Sequence, residues 1–226
     1  MQARDASQSQ RVAGFFESYQ NAPTRPIKVG MTTNGIARSN AQFKDYWLAR
    51  ADELNAMSAG IVMELYSFNE DIRNADYSHL SILKFDSPEQ RADFLFHPTR
   101  LLEQKFGTDS VECDLDIEIG LLSDAASGHV FLINPFEIQQ EDIPAVLDMW
   151  HKAKGHMIAH EGFINARLFR SSDPSAKYGL VNVAHWRSSK SFKDALNDQA
   201  YDSHRERSLN YKLHPSLCKF EARFPT

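Results

Sequence analysis

The sequence is short of cysteine and of positive charge, and each shortage excludes a class of protein. Two cysteines in 226 residues are too few for a disulfide-stapled secreted domain, and neither has a Cys or His neighbour at metal-ligand spacing. The formal net charge of −5 argues against a nucleic-acid partner, which a basic face or stripe would bind. No apolar run approaches the roughly 20 residues that span a membrane, and the N-terminus lacks the layout of a secretory signal. We therefore expect a cytoplasmic protein with no membrane or nucleic-acid partner. Its two cysteines are expected to be buried thiols, with one disulfide as the alternative.

The chain contains one pattern twice, and the two copies differ chemically. The segment YGLVNVAHWRSSKSFKDAL, which begins at Tyr178, aligns with YSHLSILKFDSPEQRADFL, which begins at Tyr77. In this alignment Asn182 and Trp186 fall on a serine and a phenylalanine of the first copy. Repeats of this kind indicate duplicated structural units. The duplication therefore indicates the fold, and the difference indicates which copy carries chemistry.

Each half is predicted to run strand, helix, strand, strand, helix, strand. A βαββαβ order is typical of a ferredoxin-like sheet with helices on one face, and two copies can cover each other's bare faces. We therefore predict an α+β protein in which tandem ferredoxin-like repeats form an intramolecular dimeric α+β barrel. The predicted units are a flexible leader at 1–24, a first domain at 25–122 and a second domain at 129–226. The predicted strands are 27–34, 61–68, 79–85 and 112–120 in the first domain, and 129–138, 162–169, 178–186 and 217–224 in the second.

Alternation along the strand predicted at 178–186 assigns its side chains to two faces. Tyr178, Asn182 and Trp186 share one face, and His185 lies on the other. Both faces are largely apolar, as in a strand that is covered on each side. Asn182 is therefore predicted to be buried, where an amide needs hydrogen-bond partners. Asn134 can approach it, because the first and third strands of a ferredoxin-like unit are neighbours.

The second half resembles a known family. INPF at 133–136, the tryptophan-bearing helix before 162, and GFINARLFRSSDPSAKYGLVNVAHWRS at 162–188 look like the antibiotic biosynthesis monooxygenase family, within the dimeric α+β barrel superfamily. The resemblance covers nearly all of 129–224, whereas the first half resembles the fold without the signature. Members include cofactor-independent oxygenases that convert polyphenols such as anthrones to quinones.

The resemblance implies that Asn134, Asn182 and Trp186 are the catalytic side chains. Amides and an indole N–H are weak bases, but they donate hydrogen bonds to a substrate oxygen. Such donors favour the ionised phenol or enol, as an oxyanion hole does, and that anion can reduce O₂ directly. The expected partners are therefore a small aromatic substrate and O₂, and no cofactor is expected. The first domain is expected to be structural, which predicts one pocket per chain.

Three further side chains are predicted to bind the substrate. Tyr178 is expected on the pocket wall with Asn182, and Trp150 on the helix that covers it. Arg167, on the neighbouring strand, is expected either to hold an anionic substrate or to pair with an acid. His156 and His160 lie one helical turn apart, but no third metal ligand accompanies them, so no metal site is predicted.

Two alternative functions stay open. The first is a heme-binding or heme-degrading enzyme of this superfamily, which resembles this fold but needs an axial histidine on the helix after Trp186. The corresponding segment here, SSKSFKDALNDQA, contains none. The second is a non-catalytic ligand-binding protein on the same scaffold. A further homodimer beyond the internal pseudo-dimer also stays open.

Overall fold

A computed structural model describes residues 26–33, 61–87 and 108–224, with a few single residues between these ranges. The predicted leader at 1–24 and most of the two predicted helices of the first half lie outside the described residues. The described chain contains nine strands and three α-helices. The strands are β1 (Pro26–Thr33), β2 (Val62–Asp71), β3 (Tyr77–Lys84), β4 (Thr108–Ile119), β5 (Val130–Glu137), β6 (Phe163–Ser171), β7 (Leu180–Trp186), β8 (Lys212–Leu213) and β9 (Ser216–Phe224). The helices are α1 (Ile143–Ala159), α2 (Ser189–Leu196) and α3 (Asp202–Ser208).

All strand pairings are antiparallel, and they close on themselves into a barrel. The order is β7-β6-β4-β1-β3-β2-β9-β5-β8, and an additional pairing between β7 and β5 closes the barrel, with the short β8 attached to β5. The first half contributes β4-β1-β3-β2 and the second half contributes β6-β7-β5-β9, which is the same arrangement of strands twice. The halves meet edge to edge, through β2–β9 and β4–β6. The predicted α+β barrel of two ferredoxin-like units is confirmed.

Side chains from both halves fill the barrel interior. Tyr66, Leu80 and Ile82 of the first half pack with Phe131 and Val183 of the second in one buried cluster. Burial of these large apolar side chains stabilises the contact between the two halves. The barrel interior is therefore core rather than an open channel.

A buried ion pair between Glu64 and Arg167 lies inside the barrel. The Glu64 carboxylate accepts hydrogen bonds from Arg167 at 2.7 Å, from the Tyr66 hydroxyl at 2.8 Å and from Arg223 at 2.7 Å. Although burial acts to raise it, the charge and hydrogen bond of Arg167, with the bonds from Tyr66 and Arg223, hold the pKa of Glu64 below its ordinary value. Because Glu64 belongs to the first half and Arg167 to the second, this pair ties the two halves together.

The helices of the second half lie on the outer face of its sheet. Ile143, Val146 and Met149 of α1 pack against apolar side chains of β5, β6 and β7. A capping box in which Ser188 and Ser191 bond each other's backbone N–H starts α2. Gly162 is required beside this cap, because a Cβ there would lie 2.2 Å from that of Ser191. These contacts fix the helices over the strands predicted to carry the site.

Three further observations concern the two cysteines, Pro135 and the length of the helices. Cys113 and Cys218 are free, buried thiols, and burial raises the pKa of each to about 12. Pro135, which removes one donor from the β5 ladder, lies between the β5–β9 and β5–β8 pairings, where its carbonyl accepts the His214 N–H at 3.1 Å. No helix in the described part of the chain is long and apolar enough to cross a membrane.

Candidate functional site

A cavity of about 270 Å³ lies between the outer face of the second half's sheet and helices α1, α2 and α3. Its volume is near the lower end of ligand pockets, which suits one small organic molecule. Apolar side chains form most of its wall, and few polar groups interrupt them. The principal apolar residues are Leu132, Phe136, Met149, Met157, Ala184 and Phe192.

Asn134 and Asn182 stand side by side on this wall. They are directly opposite each other in the β5–β7 ladder, and paired residues of antiparallel strands project to the same face. The Oδ1 atom of each amide is buried and has no hydrogen-bond partner among the described residues. A buried unpaired amide is unfavourable, so the pair is suited to a ligand that supplies the missing bonds.

Trp186 completes this polar group from the end of the same strand. The side chain is 1% exposed, and its ring is held edge-on by Phe163 at 5.6 Å and Phe192 at 5.4 Å between centroids. Its indole Nε1 is buried without a partner within the described part of the chain. The wall therefore combines amide acceptors and donors with one indole donor, all on residues that line one cavity.

Trp150 also lines the cavity, from α1. The Nζ of Lys154, one helical turn further along, lies 5.5 Å from the centroid of the Trp150 ring, within range of a cation–π contact. An aromatic ring at this place offers a stacking surface to a planar ligand. Contact between Trp150 and the substrate stays a prediction, and the place of Trp150 on the cavity wall suits such a contact.

Arg167 and Tyr178 do not lie on the cavity wall. Arg167 points into the barrel and pairs with Glu64, which is the second of the two roles considered for it. Tyr178 was expected on the face of Asn182, but it packs in the barrel core with Val181. The reason is that β7 begins only at Leu180, so strand alternation does not extend back to position 178.

Helix α3 and the residue just before it contribute four cavity residues that the sequence prediction missed. Tyr201, His204, Arg205 and Ser208 recur at helical spacing and line the wall together. This spacing is the signal that could have found them. The Nδ1 atom of His204 is buried with no partner among the described residues. Burial, with the charges of Arg207 and His156, lowers the pKa of His204 below its ordinary value, so the neutral ring predominates at pH 7.

The first half also reaches this cavity, through Ile72 and Arg73 in the β2–β3 loop. The backbone N–H groups of both residues donate to the Pro215 carbonyl, at 3.2 and 3.1 Å. The Arg73 guanidinium donates to the Ser208 hydroxyl at 3.2 Å and to the Ser208 carbonyl at 3.3 Å. The cavity is therefore assembled from both halves, although its polar group belongs to the second.

No cluster of three or more His, Cys, Asp or Glu side chains that could hold a metal occurs in the described ranges. His156, one of the two histidines considered for metal binding, contacts the Ala195 carbonyl through Nε2 at 3.0 Å. The expectation of one pocket per chain stays a prediction, because most of the first half's predicted helices lie outside the described residues.

The fold places the chain among α+β barrel proteins of known structure. It resembles the crystal structure of an anthrone oxidase-like protein, with a TM-score of 0.66 and 10% identity over 90% of this chain and 93% of the other. It also resembles a major regulator of staphylococcal pathogenesis, with a TM-score of 0.52 and 10% identity over 88% of this chain and 100% of the other. Likeness at these identities shows the fold alone, and one fold supports many functions.

The sequence model of one family matches part of the chain. Residues 129–207 match the model of the antibiotic biosynthesis monooxygenase family. This match covers about a third of the chain and lies within the half that resembles the family. No curated protein matches the chain. The matched residues include Asn134, Trp150, Asn182, Trp186 and His204, all of which line the cavity.

Proposed function

We propose that the protein is a cofactor-independent monooxygenase that oxidises a phenolic or anthrone-type aromatic with O₂. One observation carries the proposal: the amides of Asn134 and Asn182 and the indole of Trp186 present buried polar atoms, without partners among the described residues, to one largely apolar cavity. An aromatic ring matches the apolar wall. Its hydroxyl or carbonyl oxygens match the unpaired donors and acceptors.

The proposed chemistry begins with ionisation of the substrate. Hydrogen bonds from the indole and amide N–H groups stabilise the phenolate or enolate oxygen, because charge develops there in a site with little water. His204 is proposed to accept the proton, since it lines the cavity as a neutral imidazole with an unpartnered nitrogen. Neither amide nor indole can take that role.

The electron-rich carbanion form of the substrate then reduces O₂. For an anthrone, the CH₂ carbon loses two hydrogens and gains one oxygen atom from O₂, and the second oxygen atom leaves as water. The substrate supplies all four electrons, so the balance requires no flavin, metal or external reductant. The cavity's contribution is to hold the anion, orient it and exclude bulk water.

Oxygen uptake tests this proposal. Metal-free protein is mixed with 1,8-dihydroxyanthrone, and uptake is compared for wild type, Asn182→Ala and Asn165→Ala. Asn165 is also a buried asparagine on a central strand, but its amide donates to the Leu121 carbonyl at 3.0 Å and it is not a cavity residue. We expect uptake in wild type and in Asn165→Ala, and a loss of about 100-fold in Asn182→Ala, comparable to the loss of an oxyanion-hole donor. Absence of uptake, or equal uptake in both variants, would overturn the proposal.

Heme binding is the second candidate, because His204 places an imidazole on the cavity wall. Titration with heme, followed by its Soret absorbance, distinguishes the two. A Soret shift that His204→Ala abolishes would favour the heme-binding alternative. Tight binding of the anthrone under O₂ without turnover would instead indicate the non-catalytic ligand-binding alternative.

A further inference from the structure

The charged side chains on the cavity wall all have the same sign. Arg73, Lys154 and Arg205 line it, and none of the described lining residues is an aspartate or glutamate. This contrasts with the chain as a whole, whose formal net charge is −5. A cavity whose wall carries only cations attracts an anionic ligand.

Of these cations, Arg205 already has a carboxylate partner. Its Nη2 donates to Asp202 at 2.5 Å, and its Nη1 donates to the Leu196 carbonyl. Since Asp202 balances its charge, Arg205 adds little attraction for a ligand. It serves instead as a matched control for the other arginine.

Among the described residues, Arg73 has neutral hydrogen-bond partners only. Both of its recorded hydrogen bonds go to Ser208, one to the hydroxyl and one to the carbonyl, and no carboxylate in the described ranges pairs with it. Burial lowers the pKa of the Arg73 guanidinium, which indicates a charge that is partly removed from water without compensation. A guanidinium has five N–H donors in a fork that matches a carboxylate, and two of them suffice for the bonds to Ser208.

The loop that carries Arg73 is fixed in place. Asp71 accepts the backbone N–H groups of Asn74 and Ala75, at 3.2 and 2.9 Å, and Asn74 adopts a φ of 52°. Both backbone N–H groups at 72 and 73 are held by Pro215 of the second half. A cation held this rigidly loses little side-chain freedom when it binds a ligand.

We propose that Arg73, supplied by the first half, binds a carboxylate on the substrate whose ring occupies the second half's cavity. This deepens the proposed function and rests on the same cavity being the substrate site. It makes the substrate an aromatic acid with at least one ring hydroxyl or carbonyl. It also gives the first half a role in specificity, beyond that of a structural partner.

Binding of two probes of nearly equal size tests this without any turnover. Isothermal titration calorimetry at pH 7.5 compares 3-hydroxy-2-naphthoate with its neutral carboxamide, in wild type, Arg73→Gln and Arg205→Gln. We expect wild type and Arg205→Gln to bind the carboxylate at least about tenfold more tightly than the carboxamide, as a charged hydrogen bond in a partly buried site allows. Arg73→Gln should bind both equally, with carboxamide affinity and circular dichroism unchanged.

Three results would overturn the assignment to Arg73. They are equal affinity of wild type for both probes, absence of carboxylate binding, and an equal loss of discrimination in Arg205→Gln and Arg73→Gln. None of these depends on oxygen uptake. The proposed monooxygenase activity is therefore tested separately, by oxygen uptake with the anthrone in wild type and Asn182→Ala.

Discussion

Asn182→Leu is predicted to make the protein more stable and inactive. Asn182 is 6% exposed, and its Oδ1 has no hydrogen-bond partner among the described residues. A buried polar group without a partner costs roughly 1–3 kcal/mol. Water can enter a polar cavity and supply some of the missing hydrogen bonds. We therefore expect Asn182→Leu to raise the free energy of unfolding by about 1 kcal/mol, at the lower end of this range. Leucine also adds apolar contact with a largely apolar wall.

Urea unfolding and oxygen uptake on the same samples measure both effects. A gain of about 1 kcal/mol moves the unfolding midpoint up by about 0.3 M, at an m-value of about 3 kcal/mol/M. Asn165→Leu is the matched control. That asparagine is equally buried, but its amide bonds the Leu121 carbonyl, so the variant should lose about 1–3 kcal/mol. Binding sites commonly exchange stability for function in this way.

Either of two results for Asn182→Leu would contradict this prediction. If Asn182→Leu loses stability as Asn165→Leu does, then the Asn182 amide is satisfied in solution and marks no site. If Asn182→Leu retains uptake of O₂ with 1,8-dihydroxyanthrone, the amide takes no part in the reaction. A stabilised and inactive Asn182→Leu variant agrees with an amide that is unsatisfied in the free protein and that takes part in the reaction.

Three other perturbations have defined outcomes. Glu64→Gln should lower the free energy of unfolding by about 3 kcal/mol, because it leaves the buried Arg167 charge unbalanced; urea unfolding at pH 7 measures this, and a neutral result would contradict it. Burial, with the charges of His129 and Arg167, lowers the pKa of His185 from 6.5 to about 4. Between these two pH values the unfolded state therefore binds more protons than the folded state. The free energy of unfolding of the wild type should accordingly fall as the pH drops from about 6.5 to about 4. His185→Gln should lose less over that window, and an identical pH profile would refute the assignment. His204→Gln should reduce kcat at least about 100-fold and remove the loss of activity expected as the pH falls below the lowered pKa of His204; an unchanged pH profile would exclude it as the proton acceptor.

The sequence predicted the barrel and the central amide pair for sound physical reasons. The two repeated units required two sheets of the same topology, and in each the first and third strands are neighbours. That topology predicted that Asn134 approaches Asn182, and the register of the β5–β7 ladder places them directly opposite. Alternation then placed Trp186 on the same face and His185 on the other, as observed.

Local patterns failed where the chain departs from regular strands or where distant segments meet. Tyr178 lies just before β7 begins, so alternation did not govern it. Arg167 is next to Leu168, which pairs with Asn182, and knowledge of that register would have placed Arg167 on the opposite face. A register shift in β6 between 163 and 165 hides this relation from the sequence.

Arg73 had no local signal at all. It belongs to the half without the family signature, and it reaches the cavity only because β2 and β9 join the halves edge to edge. Contacts between segments more than 100 residues apart, such as Arg73 with Ser208, follow from the closed barrel. The helical spacing of Tyr201, His204 and Ser208, by contrast, was visible in the sequence.

In the proposed reaction, one oxygen atom of O₂ enters an aromatic substrate in this cavity without a cofactor. The most direct measurement is mass spectrometry of the quinone formed from 1,8-dihydroxyanthrone by metal-free protein under ¹⁸O₂. The account predicts one ¹⁸O atom in each quinone, formed at a rate that Asn182→Leu abolishes. An unlabelled quinone accompanied by H₂O₂, or labelled product formed equally by the variant, would contradict it.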